Sequence, residues 1–249
     1  MTDRPNILVP VRVLEGESIP EGIPDLLANA HVVLLGYHVV PDQTATDQAR
    51  SQFEERANDR LDQFESMFLD AGATVERRLV FTHEAQATID RTIYEHNCLA
   101  VLVPKATGPP EQVLVAVRGT VGVDRLIRLV SGLFADSDVD LTLCHVREED
   151  ETVEDAQTLL DAIADRLVED GVTATAIERR VSTEPDPVEA IVESSEDFDA
   201  VVMGESDPSV VSFVFGLHSQ QVADRFLGPV LVLQRERPDE EVDDDSQGS

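Results

Sequence analysis

Two glycines near the end of the chain bracket the stretch best able to do chemistry. Gly204 closes the apolar run "DAVVMG", and Gly216 stands just ahead of "HSQQVADRF", which reads as a short helix. Glycines in a loop leaving a strand let backbone N–H groups wrap phosphate oxygens. A helix that begins just beyond adds the positive end of its dipole. That is the pattern of a phosphate cradle. Glu205 and Asp207 stand in the same loop, and two carboxylates beside a polyphosphate are costly unless Mg²⁺ or salt compensates.

The other reactive side chains point to the fold more than to chemistry. His38 in "YHV" and His145 in "CHV" read as equivalent positions at the ends of two strands. Their recurrence in both halves of the chain points to satisfying a strand-end backbone group, over proton transfer. His218 reads as a solvated loop residue. Cys98 and Cys144 sit singly beside apolar runs and read as buried small hydrophobes, with neither a disulfide nor a structural zinc site. No Gly-x-Ser-x-Gly elbow, Walker glycine loop or "SGGxDS" loop occurs, so no nucleophile, base and oxyanion donor come together. An enzyme is not expected.

The elements that must position these residues come from a repeat. "NILVPVRV" at 6–13 resembles "QVLVAVRG" at 112–119, and "VVLLGYHVV" at 32–40 resembles "DLTLCHVRE" at 140–148. "DAGATVERRLV" at 70–80 matches "EDGVTATAIERRV" at 169–181, and "CLAVLVPK" at 98–105 resembles "DAVVMGES" at 199–206. Each half reads β-α-β-α-β-α-β, with continuous apolar strands of the kind that parallel sheets bury on both faces. Phe53, Ala57, Leu61, Phe64, Phe68 and Ala71 share one helix face, as do Val153, Ala156, Leu160, Ile163 and Leu167. Gly72 and Gly171 follow those helices where a left-handed residue is wanted. The pattern predicts an α/β fold in two tandem domains, 1–110 and 111–236, followed by an acidic disordered tail at 237–249. The second domain alone continues into the Gly204 loop, a helix and a fifth strand, so the first lacks its last helix and strand.

Composition narrows the class. The formal charge is −31 over 249 residues, and Lys105 is the only lysine. Acidic residues spread through the helices suit a surface screened by salt, as in a halophile. The same charge argues against nucleic-acid binding, since no basic stripe is present to meet phosphates. No apolar run is long enough to span a bilayer, and "MTDRPNILVPV" is no secretory signal. A cytoplasmic location without membrane insertion is expected.

In its order of pieces, "VLVAVRG", "LTLCHV", "EDG", "DAVVMGES" and "FG…VAD…GPVLVL", the chain resembles the universal stress protein (UspA) family in its tandem form, from about residue 5 to 235. The resemblance implies five-stranded parallel sheets ordered 3-2-1-4-5. Members that bind ATP carry G-x2-G-x9-G-(S/T) after the fourth strand. Here Gly204 matches the first glycine and Gly216 the third, one residue early. Asp207 replaces the second glycine, and Leu217 the terminal hydroxyl residue. The implied binding set is Val117, Arg118, Gly204, Glu205, Ser206, Gly216 and Ser219, with ATP or AMP as the ligand. ATP-binding relatives usually carry an aspartate at the end of the first strand, where both halves here have arginine, Arg12 and Arg118. Arg118 either pairs with Glu205 or Asp207 and seals the pocket, or meets a phosphate itself.

The family commonly dimerises through its last strand. The resemblance therefore implies a homodimer through Pro229 to Gln234, with the first half packing on its own partner half as a pseudo-dimer. The expected function is that of a non-enzymatic stress-response regulator acting through association, with a degenerate nucleotide loop. The alternatives are an ATP or AMP sensor using that loop, and a soluble accessory regulator of a membrane transporter, since similar tandem domains occur fused to amino-acid permeases.

Overall fold

The computed structural model describes residues 4–117, 122–147, 150–183, 197–204 and 228–234. The first half runs β1 (Asn6–Arg12), α1 (Gly22–Leu26), β2 (His31–Val39), α2 (Thr46–Asp70), β3 (Thr74–Thr82), α3 (Ala85–Glu95) and β4 (Ala100–Val103). The second contains β5 (Gln112–Val117), α4 (Val123–Phe134), β6 (Asp140–Val146), α5 (Val153–Glu169), β7 (Ile177–Ser182), β8 (Ala200–Gly204) and β9 (Val230–Leu233). Continuous Val, Ile and Leu runs form the inner strands because both their faces are covered. Among the described residues no helix is long and apolar enough to cross a membrane.

The strands of both halves join in one sheet, in the order β3-β2-β1-β4-β9-β8-β5-β6-β7. Every neighbouring pair is parallel except β4 with β9, which pair antiparallel from Ala100↔Leu233 to Val103↔Val230. This corrects the expectation of a free last strand. β9 has β8 on one side and β4 on the other, so Pro229 to Gln234 leave no open edge for a second copy. The cause is the truncation of the first half. With no fifth strand of its own, β4 would present unpaired N–H and C=O groups. The apolar "VLVL" of β9, buried at all four positions, covers them.

Helices α1, α2, α4 and α5 share one core with one face of the sheet, where Ile7, Val9, Val113 and Val115 alternate inward. Helix α3 covers the other face over Leu8, Val33, Leu35 and Val101. In α2 the stripe Ala57, Leu61, Phe64 and Phe68 is buried, and in α5 Ala156, Leu160, Ile163 and Leu167. Val153, read as part of that stripe, is 48% exposed as the first residue of its helix. Both long helices end as expected. Gly72 at φ +104° and Gly171 at φ +105° take the left-handed conformation. Around each, the next two N–H groups bond back into the last turn, Gly72 to Leu69 and Ala73 to Phe68, Gly171 to Val168 and Val172 to Leu167.

Register relates the halves residue by residue. Asn6 pairs with His31 as Gln112 pairs with Asp140, and Val33 pairs with Glu76 as Thr142 pairs with Glu178. The two Glu-Arg-Arg runs therefore coincide. Three extra residues after Gly171 are taken up by a 3-10 turn at Ala174–Ala176. The same register places His145 opposite Val117 where Gly36 lies opposite Val11. His38 and His145 are thus two positions apart, and the sequence match at this strand slips by one side-chain period. A Cβ on Gly36 would meet Leu61 and Val13, so the first half fills with aliphatic groups the space that the second gives to an imidazole.

The segment between the halves is pinned by Asp199, whose Oδ2 accepts the N–H groups of Glu111 at 2.8 Å and Gln112 at 2.9 Å. It also lies against α1, where a Cβ on Gly22 would collide with the Gly108 carbonyl. Gly22→Ala is expected to lower stability by about 1–3 kcal/mol through overpacking, read as a lower denaturant midpoint. Gly108→Ala, whose methyl meets nothing within 4 Å, should stay within about 1 kcal/mol. Equal effects would contradict the packing described.

Candidate functional site

The carboxyl ends of β5 and β8 lie side by side. Their last paired residues are Ala116 and Met203, so Val117 and Gly204 come next, and Gly204 is in turn in register with Leu233 of β9. From β5 the chain passes through α4 to β6 on one side, while β8 lies on the other. Open α/β sheets hold ligands where the connections part in this way. Helix α4 starts from Gly122, left-handed at φ +78°. The structure thus brings together Val117, which is buried, and Gly204, which is half-buried. Arg118, Glu205, Ser206, Gly216 and Ser219 lie outside the described residues, as do Asp207, Leu217 and His218.

Beneath Val117 sits a buried polar pair that sequence reasoning found only in half. His145 is 1% exposed. Its Nδ1 lies 2.9 Å from the Val117 carbonyl, and its Nε2 lies 2.7 Å from Glu151 Oε2. A carbonyl only accepts, so Nδ1 carries its hydrogen, and Nε2 shares one further proton with the Glu151 carboxylate. Arg147 Nη1 donates to the Glu151 carbonyl. The expected role of the histidine, satisfying a strand-end carbonyl, holds for His145 and fails for His38. His38 Nδ1 is buried without a hydrogen bond, and its ring lies edge-on to Phe53 and Phe81. Glu151 escaped notice because it stands in "REEDET", indistinguishable by type from the acidic surface.

The first half treats the same strand end differently. Arg12, at the end of β1, donates from Nε to the Tyr37 hydroxyl at 3.1 Å and from Nη1 to Glu15 at 3.1 Å. Its own N–H donates to Glu17 Oε2 at 2.7 Å. The Tyr37 hydrogen bond first, and then Glu15, push the guanidinium further above its usual range. Arg12 is therefore held by its own loop. At the corresponding positions of the second half stand Val146 for Tyr37, Val121 for Glu15 and Val123 for Glu17. None of these side chains can accept a hydrogen bond from a guanidinium at position 118.

The remaining candidates are structural. Cys98 is buried, and burial first, then the charge of Glu76, pushes its thiol up to about 12, far from a reactive thiolate. Cys144 is likewise a buried free cysteine. Among the described residues no group of three or more His, Cys, Asp or Glu is placed to hold a metal ion. His145→Ala leaves the Val117 carbonyl and the Glu151 carboxylate unpaired. It is expected to destabilise the chain by about 2 kcal/mol or more. In a denaturation double-mutant cycle with Glu151→Gln the two losses should be clearly non-additive. Unchanged stability would mean that the pair serves something other than the fold.

Comparison with known proteins agrees with this geometry. The universal stress protein family matches residues 110–234. A search of curated proteins finds no match. Among solved structures, a universal stress protein from Archaeoglobus fulgidus DSM 4304 is 17% identical, with a TM-score of 0.60 over 92% of this chain and 96% of that one. A protein of Pseudomonas aeruginosa UCBPP-PA14 assigned to the same family is 15% identical, with a TM-score of 0.50 over 94% of each chain. A universal stress protein solved with cAMP is 24% identical over 51% of this chain and 98% of that one, but its TM-score of 0.36 is too low to bear on a ligand here. The family match spans half of the chain and takes in the strand ends of β5 and β8 together with β9, and the chain belongs to the universal stress protein family.

Proposed function

We propose that the chain is a non-enzymatic regulatory protein that takes an adenine nucleotide at the end of its second half only. The observation that carries this reading is the asymmetry between the two strand ends. Arg12 is held by Tyr37, Glu15 and Glu17, whereas the second half has valine at each of those positions. An arginine without such partners is available to a phosphate as a charge-assisted donor. Gly204 keeps the first glycine of the family's loop. The strand β9 that follows the loop joins the halves, so occupancy at this place acts directly on the seam.

In the two-half arrangement, the first half has become a structural partner. It has four strands where the second has five, and its exposed edge is covered from within the same chain. Association with other molecules then falls to surfaces other than β9. A second reading, association alone with a vestigial loop, draws on Asp207 and Leu217, which stand where the family's loop has glycine and a hydroxyl residue.

Titration of Mg²⁺–ATP at molar KCl is expected to show one site per chain, abolished by Gly216→Asp and retained in Arg12→Gln, with no ADP formed. Two sites, loss of binding in Arg12→Gln, or steady turnover of ATP would overturn the reading. No heat at millimolar ATP from a folded chain would contradict the nucleotide and leave association alone.

A further inference from the structure

A polar cavity of about 350 Å³ opens at the seam between the halves, away from the strand ends discussed above. It is lined by Arg4, Asn6 and Asn97 from the first half and by Arg128, Ser131 and Asp170 from the second. Most arginines of this acidic chain are tied to carboxylates, as Arg77 is to Asp62, Arg166 to Asp124 and Arg179 to Asp161. Arg4 and Arg128 make no ion pair among the described residues. Arg4 Nη1 donates to the Gly72 carbonyl at 2.8 Å, which orients the guanidinium and leaves its other N–H groups unspent. Ser131, in the cavity wall, is 0% exposed, and its hydroxyl has no hydrogen-bond partner.

The charge balance of the lining favours an anion. Two permanent cations face one carboxylate, Asp170, whose charge is also within electrostatic reach of Arg166. In a chain of net charge −31, a locally positive cavity with low-dielectric walls concentrates small anions against the general field. Two guanidiniums offer planar pairs of N–H donors, the geometry that phosphate oxygens accept. The side-chain amide of Asn97 adds a donor from a residue held at φ +47°. A second cavity, beside Thr82, His83, Thr88 and Arg91, lacks these features. There Thr88 donates to Thr82, His83 reaches the Val40 carbonyl, and Arg91 faces Glu95.

We infer that the cavity between Arg4 and Arg128 is a binding site for a phosphate group, supplied free or as the phosphate of a nucleotide. It bridges the halves, because Arg4 and Asn97 belong to one and Arg128 and Ser131 to the other. Its occupancy therefore favours the joined arrangement by mass action. It is independent of the nucleotide reading at Gly204.

Calorimetric titration of inorganic phosphate into the full chain at fixed molar KCl tests this. The expected result is saturable binding, weakened at least about tenfold in Arg128→Gln and in Arg4→Gln, and unchanged in Arg91→Gln and Gly216→Asp. Arg128 is exposed, so its replacement should leave the denaturation midpoint without phosphate unaltered. A competing titration with AMP separates the sources. Displacement of phosphate by AMP assigns the site to nucleotide phosphates, and no displacement assigns it to the free ion. Absence of saturable phosphate binding, or binding that Arg128→Gln leaves unchanged, would overturn the inference.

Discussion

Four residues, Val230 to Leu233, hold the two halves of this chain in one sheet. Their pairing with Ala100 to Val103 is the one antiparallel step among eight neighbouring strand pairs, and other features follow from it. Running β9 against β4 turns the first half end for end relative to the second while keeping α1, α2, α4 and α5 on one face. It removes the edge that β4 would otherwise expose. It also sets the start of β1 and β4 beside α4, where Arg125 Nε donates to the Gln234 carbonyl at 3.0 Å and the cavity of Arg4 and Arg128 opens. An interaction that relatives make between chains is made here within one.

The same truncation explains the difference between the two strand ends. In the second half, β8 ends at Gly204 and feeds the segment that leads to β9. In the first, β4 feeds a short connection pinned by Asp199 and packed on Gly22. A first half without the glycine loop has no ligand to leave room for, and Arg12 is drawn into its own acidic turn. In the second half the corresponding positions are valines, and the polar anchoring lies deeper, in His145 and Glu151. One duplicated frame thus carries a closed end and an end whose arginine lacks those partners.

Much of this was legible from residue types. Strand runs, the helix stripes ending at Phe68 and Leu167, and the left-handed Gly72 and Gly171 follow from period and steric rules that act locally. The paired "ERR" runs fell in true register because charge and spacing recur together. The histidines did not, since "YHV" and "CHV" match by letter while the pairing of β2 with β1 and β6 with β5 differs by two residues. The place of β9 was illegible for a related reason: an apolar four-residue strand reads the same as an edge or as a centre. Only the unpaired side of β4, a fact about the whole sheet, decides between them. Glu151, Glu15 and Glu17 were hidden by abundance, because in so acidic a chain no single carboxylate stands out.

The joining of the halves through β9 is the claim on which the account rests most. Residue-resolved amide hydrogen exchange over Ala100–Val103 and Val230–Leu233, in molar KCl and at several protein concentrations, tests it directly. The account predicts that all four amides of β4 are as protected as those of Val113–Val117, and that this protection does not change with concentration. Fast exchange at alternate β4 amides, or protection that appears only as concentration rises, would show that β4 is an open edge or is covered by a second chain, and would contradict it.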